Sequence, residues 1–293
     1  MGFSVSVGIM AYNEEAMIGS LLKAIIQQRY YHGRLNEVFV VTSGCTDNTA
    51  DVVRRYMQKD HRIKLLNQSR REGKASAINL FLAKASGEIL ILESADTVPA
   101  EDTLDKLIAP FLDPKVGMTG ARPIPVNPMD SFIGFTVHLM WTLHHKIALS
   151  APKLGELVAF RNIVREIPKY TAVDEACIEA IIKDKGYDLR YVSDALVKNK
   201  GPDNVSDFIK QRRRIAAGHK YLCRDQKYEV STHSPLKILK VLIPEIPRSL
   251  KGIAWSAGAV ILEAIGRLLG LYDYVIRKEN PYIWDIACST KRW

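Results

Sequence analysis

Residues 88–99 of this 293-residue chain are Glu-Ile-Leu-Ile-Leu-Glu-Ser-Ala-Asp-Thr-Val-Pro, a short apolar run that ends abruptly at acidic side chains. An unbroken run of Ile and Leu between Gly87 and Pro99 is typical of a strand that is buried on both faces, as in a parallel sheet covered by helices. Ligands of such sheets bind beyond the carboxyl ends of the strands. Asp96 lies just past that end, which favours either a site for a hard cation and its phosphates or only a cap for the following helix.

Three more strands precede this one, and a helix is predicted after each of them. The strands are residues 3–10, 37–42 and 63–66, and the helices are residues 17–26, 50–57 and 75–85. The connecting loops are short and polar, with Ala-Tyr-Asn-Glu-Glu at residues 11–15 and Ser-Gly-Cys-Thr-Asp-Asn-Thr at residues 43–49. Strands that alternate with helices in this way predict a doubly wound α/β sheet.

The second half of the chain continues with a less regular alternation. Strands are predicted at residues 116–121, 157–161 and 189–192, and helices at residues 172–183 and 205–222, while residues 129–149 form a long, mostly apolar segment. The last helix carries Gln-Arg-Arg-Arg at residues 211–214, a run that by itself is usually a solvated basic face. A polar stretch at residues 225–235 follows, so we expect two units, residues 1–225 and residues 226–293.

The charge and the cysteines restrict the class of protein. A formal net charge of +9 favours acidic partners such as nucleotides, phosphates or an anionic membrane surface. No nucleic acid is expected, because the basic residues are not interleaved with aromatic ones. The chain begins with an apolar strand and no basic leader, so we expect no signal peptide. The cysteines lack the paired spacing of a zinc site or a disulfide framework, which favours a reducing compartment; they are Cys45, Cys177, Cys223 and Cys288.

Taken together, the polar segments resemble those of the family-2 inverting glycosyltransferases with the GT-A fold. The matching segments are residues 7–14, 43–49, 73–79, 94–96, 159–161, 174–175 and 211–214, in the order and spacing of that family. Each segment alone is weak evidence, whereas their ordered combination is strong. The resemblance implies a mostly parallel α/β sheet with helices on both faces and a nucleotide-sugar donor. It covers roughly the first 220 residues, and the C-terminal helical appendage lies outside the matched part.

The resemblance also implies a donor site at the carboxyl ends of the strands. The residues implied to hold the nucleobase and ribose are Ala11, Tyr12, Glu14 and Asp47, and those implied for the rest of the donor are Lys74, Ser94, Ala95, Asp96, Arg161, Gln211 and Arg214. Asp96 would bind Mn²⁺ or Mg²⁺, which stabilises the leaving nucleoside diphosphate. The residues around Lys74 suit a phosphate, because Gly73 permits close backbone approach and a helix amino terminus follows it.

Asp174 and Glu175 stand where the family keeps its general base. Inversion by single displacement needs one carboxylate that takes the proton of the acceptor hydroxyl. The acting residue of the family lies eleven residues before a glycine, and Glu175 keeps that spacing to Gly186. We therefore expect Glu175 to be the base, with Asp174 as the alternative. A purely structural role of both residues at the start of a helix is a further alternative.

Three positions depart from the family pattern. Ser94 replaces the first aspartate of the Asp-X-Asp motif, which leaves Asp96 as the metal ligand and Glu93 as a candidate helper. Ile215 replaces the tryptophan that many chain-extending members use as an acceptor platform, so transfer of a single sugar is expected rather than polymerisation. Residues 42–43 are Thr-Ser where an acidic pair is common, which leaves the nucleobase open.

The appendage combines basic and apolar residues. Residues 252–271 are apolar except for Ser256, Glu263 and Arg267, which share one helix face. This pattern predicts a helix that lies in a membrane interface rather than one that crosses it. The flanking basic residues are Lys237, Lys240, Arg248 and Lys251, and the aromatic residues suited to headgroups are Trp255, Tyr272, Tyr274, Tyr282, Trp284 and Trp293. The alternative is an amphipathic helix pair packed on the catalytic domain or on a second subunit.

The sequence therefore predicts a metal-assisted, inverting glycosyltransferase that moves one sugar from a nucleotide-sugar donor to a lipid or lipid-linked acceptor. Its expected place is the cytoplasmic face of a membrane. If the appendage packs on a second subunit instead, a homo-oligomer is possible. Two alternatives remain open. One is another nucleotide-sugar enzyme on the same scaffold, and the other is a non-catalytic nucleotide-binding or scaffold protein.

Overall fold

The computed structural model describes residues 2–231, 235–283 and 288–291. Its strands are β1 (Phe3–Ala11), β2 (Gly33–Ser43), β3 (Ile63–Gln68), β4 (Ile89–Ser94), β5 (Thr97–Pro99), β6 (Val116–Pro125), β7 (Leu157–Arg161) and β8 (Asp188–Asn199). Its helices are α1 (Ile18–Ile26), α2 (Thr49–Met57), α3 (Lys74–Leu82), α4 (Thr103–Ile108), α5 (Phe132–Ala148), α6 (Asp174–Asp184), α7 (Val205–Gln226), α8 (Pro235–Leu242) and α9 (Leu250–Tyr272). The strands form one mixed sheet in the order β3-β2-β1-β4-β7-β6-β8-β5.

The amino-terminal half of the sheet is parallel and confirms the predicted alternation of strands and helices. β1 pairs in parallel with β2 on one side and with β4 on the other, and β3 pairs with β2. Along β4, Ile89 and Ile91 enter the apolar core on one face of the sheet, while Leu90 and Leu92 enter the core on the other face. Because both faces are covered, this strand needs apolar residues at consecutive positions.

The carboxyl-terminal half of the sheet contains two features that the sequence patterns did not predict. β7 is antiparallel to both of its neighbours, β4 and β6. The short strand β5 follows β4 directly and pairs with the distal end of β8, which is longer than expected. As a result, the start of β7 at Leu157 lies beside Glu93, and its last residue, Arg161, lies beside Ile89.

The long helix α9 packs along α7 with its polar and small residues. The Glu263 carboxylate accepts hydrogen bonds from Arg212 Nε at 2.6 Å and from Arg267 Nε at 2.7 Å. A Cβ atom at Gly266 would lie only 2.6 Å from the Arg212 Cβ, and one at Gly270 would lie 2.5 Å from a backbone oxygen of α7. Glycine at these two positions therefore lets the two helices come close together.

This packing leaves the apolar side of α9 facing outward. Leu268 is 65% exposed and Ile261 is 57% exposed, and they belong to a larger set with Leu250, Ile253, Val260, Ile265 and Leu271. The predicted polar face of this helix is thus turned toward the protein, because Glu263 on this face is paired with Arg212 of α7. Within the part of the chain that the structure describes, no helix has the length and apolar character needed to span a membrane. Trp284 and Trp293, which we expected at headgroups, lie outside the described residues.

Candidate active site

The loops after β1 and β2 are bonded to each other at the carboxyl edge of the sheet. The Asn13 carboxamide accepts from the Thr46 N–H at 2.8 Å, and the Asp47 carboxylate accepts from the Glu15 N–H at 3.0 Å and from the Thr49 N–H at 3.0 Å. Burial acts to raise the pKa of Asp47, but these hydrogen bonds outweigh it and lower the pKa. Asp47 therefore holds the two loops together, and its contact with a nucleobase stays a prediction.

The other residues predicted for the nucleoside lie around this pair of loops. Ala11 ends β1, and its carbonyl accepts a weak hydrogen bond from the Cys45 thiol at 3.6 Å. The ring of Tyr12 stacks under the Arg71 guanidinium, whose central carbon is 4.4 Å from the ring centroid. Glu14 is only 5% exposed, and its backbone N–H donates to the Thr49 hydroxyl at 2.8 Å.

Lys74 connects the start of α3 with the start of α6. Gly73 precedes it with φ at +91°, a conformation that a side chain disfavours, and this turn directs the chain into the helix. The Lys74 ammonium donates to Glu175 Oε1 at 2.6 Å and lies 3.8 Å from Asp174 Oδ2. Lys74 is thus in direct contact with two adjacent carboxylates that lie about a hundred residues away in sequence, and all three residues were predicted for the site.

The pKa values of these three residues shift in the directions that their mutual charges dictate. Burial acts to raise the pKa of Glu175, but the adjacent Lys74 ammonium outweighs it and lowers the pKa to about 2. Burial also opposes the charge on Lys74, yet Glu175 and Asp174 raise its pKa. For Asp174 burial prevails over Lys74, and the pKa rises to about 6. Glu175 and Lys74 are therefore a closed ion pair, with Asp174 as a second, more weakly paired carboxyl group.

Arg214 closes the same cluster from α7. Its guanidinium donates to the Ala172 carbonyl at 2.9 Å, just before α6, and it lies in the field of Asp174 and Glu175. Gln211 is one turn earlier on α7 and is partly buried. The two cationic groups, Lys74 and Arg214, therefore approach the paired carboxyl groups from two different helices.

Asp96 lies in the tight connection between β4 and β5, next to Ser94 and the buried Ala95. Burial raises the pKa of Asp96, while the charge of Lys74 acts in the opposite direction. A carboxylate enclosed in this way suits a hard divalent cation, and Ser94 adds a hydroxyl oxygen. Among the described residues, no three His, Cys, Asp or Glu side chains converge as a metal cage.

Glu93 does not assist Asp96, contrary to the role considered for it above. Successive side chains of a strand point to opposite faces, so Glu93 faces the same core as Ile91. Its carboxyl group accepts from the Thr97 hydroxyl at 3.0 Å, and burial raises its pKa to about 8. Glu93 is therefore a buried structural group beneath the sheet edge.

Arg161 is a predicted donor contact that the structure does not bring to this edge. The sequence patterns gave no direction for β7, and the observed antiparallel direction carries Arg161 to the opposite end of the sheet, about 13 Å along the strand from Leu157. There its guanidinium donates to the carbonyls of Val116 at 2.8 Å and Phe111 at 2.9 Å. The prediction for Arg161 is therefore wrong, and its role is to hold the segment that leads into β6.

Glu156 is a site residue that the sequence patterns missed. It lies immediately before β7, at the end of the strand that the antiparallel direction brings next to Asp96. Its φ of +62° is unusual for a residue with a side chain, and such strain is concentrated at functional sites. Burial, together with the charges of Asp96 and Glu175, raises its pKa to about 7. The available signal was an acidic residue before a strand, but its meaning depended on the direction of that strand.

This arrangement provides two kinds of chemistry within one cluster of side chains. Lys74 and Arg214 offer positive charge to an anionic group, and the carboxyl groups of Glu175 and Asp174 offer acceptors for a proton. All of these residues come from the carboxyl edge of the parallel strands or from helices that begin there. Such a combination suits the transfer of a group away from a phosphate leaving group.

The architecture is shared with solved structures of sugar-transferring enzymes. The mannosyltransferase PcManGT from Pyrobaculum calidifontis, solved in complex with GDP-Man and Mn²⁺, superposes with a TM-score of 0.62 at 24% sequence identity, over 96% of this chain and 82% of that chain. A likeness at this level of identity establishes the fold alone. The fold is of the GT-A type, as the sequence resemblance implied.

The sequence comparison then identifies the family. The model of glycosyl transferase family 2 matches residues 6–165, which is more than half of the chain. The chain therefore belongs to glycosyl transferase family 2 and is a glycosyltransferase.

Two curated relatives indicate how the chain compares in length and identity. It is 26% identical over 236 residues to the probable glycosyltransferase YdaM of Bacillus subtilis, covering 74% of this chain and 56% of that protein. It is 31% identical over 130 residues to the beta-monoglucosyldiacylglycerol synthase of a Nostoc species, covering 44% of this chain and 28% of that protein. The chain thus matches about half, or less, of the length of these relatives.

Proposed function

We propose that this glycosyltransferase moves a single sugar from a nucleotide-sugar donor to a lipid or lipid-linked acceptor, with inversion at the sugar carbon and with the help of Mn²⁺ or Mg²⁺. The observation that carries the proposal is the Lys74–Glu175 ion pair beside Asp174, with Arg214 close by. In this ion pair Lys74 supplies a cation for the diphosphate, and Glu175 supplies a carboxylate that can take the proton of the acceptor.

Donor binding would change the partner of Lys74. The diphosphate carries more negative charge than a single carboxylate, so it competes with Glu175 for the Lys74 ammonium. The charge of Lys74, together with its 2.6 Å hydrogen bond, is also what holds the pKa of Glu175 low, against the effect of burial. When Lys74 turns to the diphosphate, the pKa of Glu175 rises, and the carboxylate becomes a better base. Donor binding thereby prepares the acceptor side of the reaction.

Asp96 is the residue that would hold the divalent ion. The ion would take its remaining ligands from the donor phosphates, as Mg²⁺ does at sites with one or two carboxylates. Its contribution is Lewis-acid stabilisation of the negative charge on the leaving nucleoside diphosphate. PcManGT, which shares the fold, was solved with Mn²⁺ and a nucleotide sugar.

Transfer itself would be a single displacement. The acceptor hydroxyl oxygen forms a bond to the sugar carbon while the bond from that carbon to the diphosphate oxygen breaks, and the hydroxyl proton passes to Glu175. Asp174 is the alternative base, because burial raises its pKa to about 6. Transfer of one sugar, rather than chain extension, is supported by Ile215, which packs against the apolar core instead of offering an aromatic platform.

The exposed apolar face of α9 supports a membrane surface as the place of reaction. Ile261 and Leu268 project outward, and the basic residues Lys237, Lys240 and Lys251 lie on α8 and at the start of α9. Apolar side chains flanked by cations are attracted to anionic bilayers. The beta-monoglucosyldiacylglycerol synthase among the relatives has a lipid product in its name, which supports a lipid acceptor. We place the membrane contact on residues 226–293, catalysis on residues 1–225, and the protein at the cytoplasmic face.

Membrane binding is tested by sedimentation with lipid vesicles. Wild-type protein is expected to sediment with vesicles of phosphatidylserine and phosphatidylcholine at low salt and less at high salt, because screening weakens the basic contribution. The double variant Ile261→Ser and Leu268→Ser should bind about tenfold more weakly, since two apolar side chains are lost from the contact.

The matched control is Leu112→Ser, because Leu112 is also exposed, at 68%, but lies in a turn outside the appendage. It should bind vesicles like the wild type. If the wild-type protein stays in the supernatant with anionic vesicles at low salt, the membrane part of the proposal is wrong.

Donor binding is tested by thermal denaturation. A nucleoside diphosphate or its sugar that binds only the folded protein raises the melting temperature, and saturation at a hundred times Kd adds about 2.7 kcal/mol to the free energy of unfolding. We expect such a rise for one nucleotide of a panel, and a larger one with Mn²⁺ or Mg²⁺ than with EDTA. No rise with any nucleotide would contradict the proposal. Binding without transfer to any acceptor would favour a non-catalytic nucleotide-binding protein. Ser94 supports that alternative, because it replaces the first aspartate of the Asp-X-Asp motif.

A further inference from the structure

The C-terminal segment after α9 touches the donor side of the cleft at two places. The first contact is near Lys74, where the Tyr282 carbonyl oxygen lies 3.1 Å from the position of a Cβ at Gly73. The rings of Tyr282 and Tyr170 stack edge to face with centroids 4.9 Å apart, and the Asn280 side chain donates to the Tyr170 carbonyl at 2.5 Å. This part of the segment is therefore fixed against the start of α3.

The second contact is made by Lys291 at the nucleoside side. Its ammonium donates to the Tyr12 carbonyl at 3.1 Å and forms an ion pair with the Glu14 carboxylate. Two residues earlier, the Ser289 hydroxyl donates to Asp207 Oδ2 at 2.7 Å, at the start of α7. From this anchored position Lys291 therefore reaches two of the four residues predicted for the nucleoside, Tyr12 and Glu14.

Glu14 has one carboxylate oxygen that no described protein atom satisfies. Lys291 binds Oε1, while Oε2 is buried and has no hydrogen-bond partner in the described part of the chain. Only 5% of the Glu14 surface is exposed to solvent. A buried carboxylate oxygen without a donor is costly, so such an atom points to a missing hydrogen-bond donor.

We propose that Lys291 is part of the nucleotide-binding site, where it neutralises and orients Glu14 so that its second oxygen accepts a hydrogen bond from the nucleoside. The donor group would be a ribose hydroxyl or a base N–H. This inference rests on the proposed function, since it assumes that a nucleotide occupies the cleft. The charge of Lys291 serves two purposes: it allows a buried carboxylate to exist there, and it keeps that carboxylate from repelling an anionic nucleotide.

The opposite role would be a plug, in which Lys291 occupies the nucleoside position and has to leave before the donor binds. The unsatisfied oxygen favours the role in binding, because a plug that filled the site would be expected to bond both oxygens of Glu14. The two roles predict opposite effects of removing the lysine. Loss of affinity supports the proposal, and gain of affinity overturns it.

Isothermal titration calorimetry of the full-length chain with Mn²⁺ and each of UDP, GDP, CDP and dTDP provides the test. For the nucleotide that binds, Lys291→Met should raise Kd about tenfold, since a charge-assisted contact is lost and Glu14 remains unneutralised. Lys291→Arg should recover most of the affinity because it keeps the charge. Lys84→Met is the control, since exposed Lys84 lies two residues beyond the far end of α3 and gives the same change in net charge.

Two further arms make the result specific. A 2′,3′-dideoxy analogue of the binding nucleotide distinguishes the two donors: the effect of Lys291→Met should shrink if ribose hydroxyls contact Glu14 and should persist if the base does. Equal affinity of Lys291→Met and wild type, at equal melting temperature without ligand, would overturn this inference alone. Absence of binding by the wild type to all four nucleotides would overturn the proposed function as well.

Discussion

Glu175→Gln is expected to slow sugar transfer by roughly a hundredfold or more while the affinity for the donor changes little. Glutamine keeps the shape of the side chain but cannot accept the proton of the acceptor hydroxyl. The donor side should be nearly unaffected, because a general base acts on the acceptor and not on the diphosphate, and Lys74 itself is retained. Single-turnover rates, together with donor Kd values from calorimetry, measure the two effects separately.

Asp174→Asn is the matched control, because Asp174 is adjacent in sequence and belongs to the same ion-pair cluster. It should reduce turnover less than Glu175→Gln does. If it is instead the more damaging variant at equal folded fraction, Asp174 is the base. Melting temperatures of both variants are needed, since Asp174 is 2% exposed and its replacement disturbs a buried group.

Asp96→Asn is expected to abolish metal-dependent turnover and to leave the fold intact. The amide is nearly isosteric with the carboxylate but lacks the charge that a divalent ion requires. Burial already raises the pKa of Asp96, so removing this charge relieves an unfavourable desolvation and should not lower the melting temperature. Activity with titrated Mn²⁺ or Mg²⁺, and the melting temperature without metal, provide the two measurements.

Glu93→Gln is the control for this experiment, because Glu93 is a nearby carboxyl group on β4 that faces the core beneath the sheet and not the side of Asp96. The pKa of Glu93 is raised to about 8 by burial, so glutamine resembles its protonated form at neutral pH, and the metal dependence should be that of the wild type. Full activity of the wild type in excess chelator, or of Asp96→Asn with metal, would show that Asp96 is not the metal ligand.

The parallel half of the sheet could be predicted because its signals are local. Each strand of that half is covered on both faces, so apolar residues follow one another along β4, and a polar loop marks the point where the strand leaves the core. The loops that end at the same edge must then lie near one another. For this reason Lys74, after β3, and Asp96, after β4, could be placed at one edge from local signals, whereas the contact of Lys74 with Asp174 and Glu175, about a hundred residues away, was seen only in the folded chain.

The direction of β7 and the orientation of α9 depended on long-range pairing and could not be read from local patterns. An apolar run does not reveal the direction of its strand. Because β7 pairs antiparallel with β4, Glu156 at its start lies at the site and Arg161 at its end lies at the opposite edge of the sheet. The sequence shows the polar stripe of α9 but not the partner of that stripe. Glu263 pairs with Arg212 of α7, so the polar side of α9 faces the protein and its apolar side is exposed. The ion pair of Lys291 with Glu14 joins the two ends of the chain, and only the folded chain brings them together.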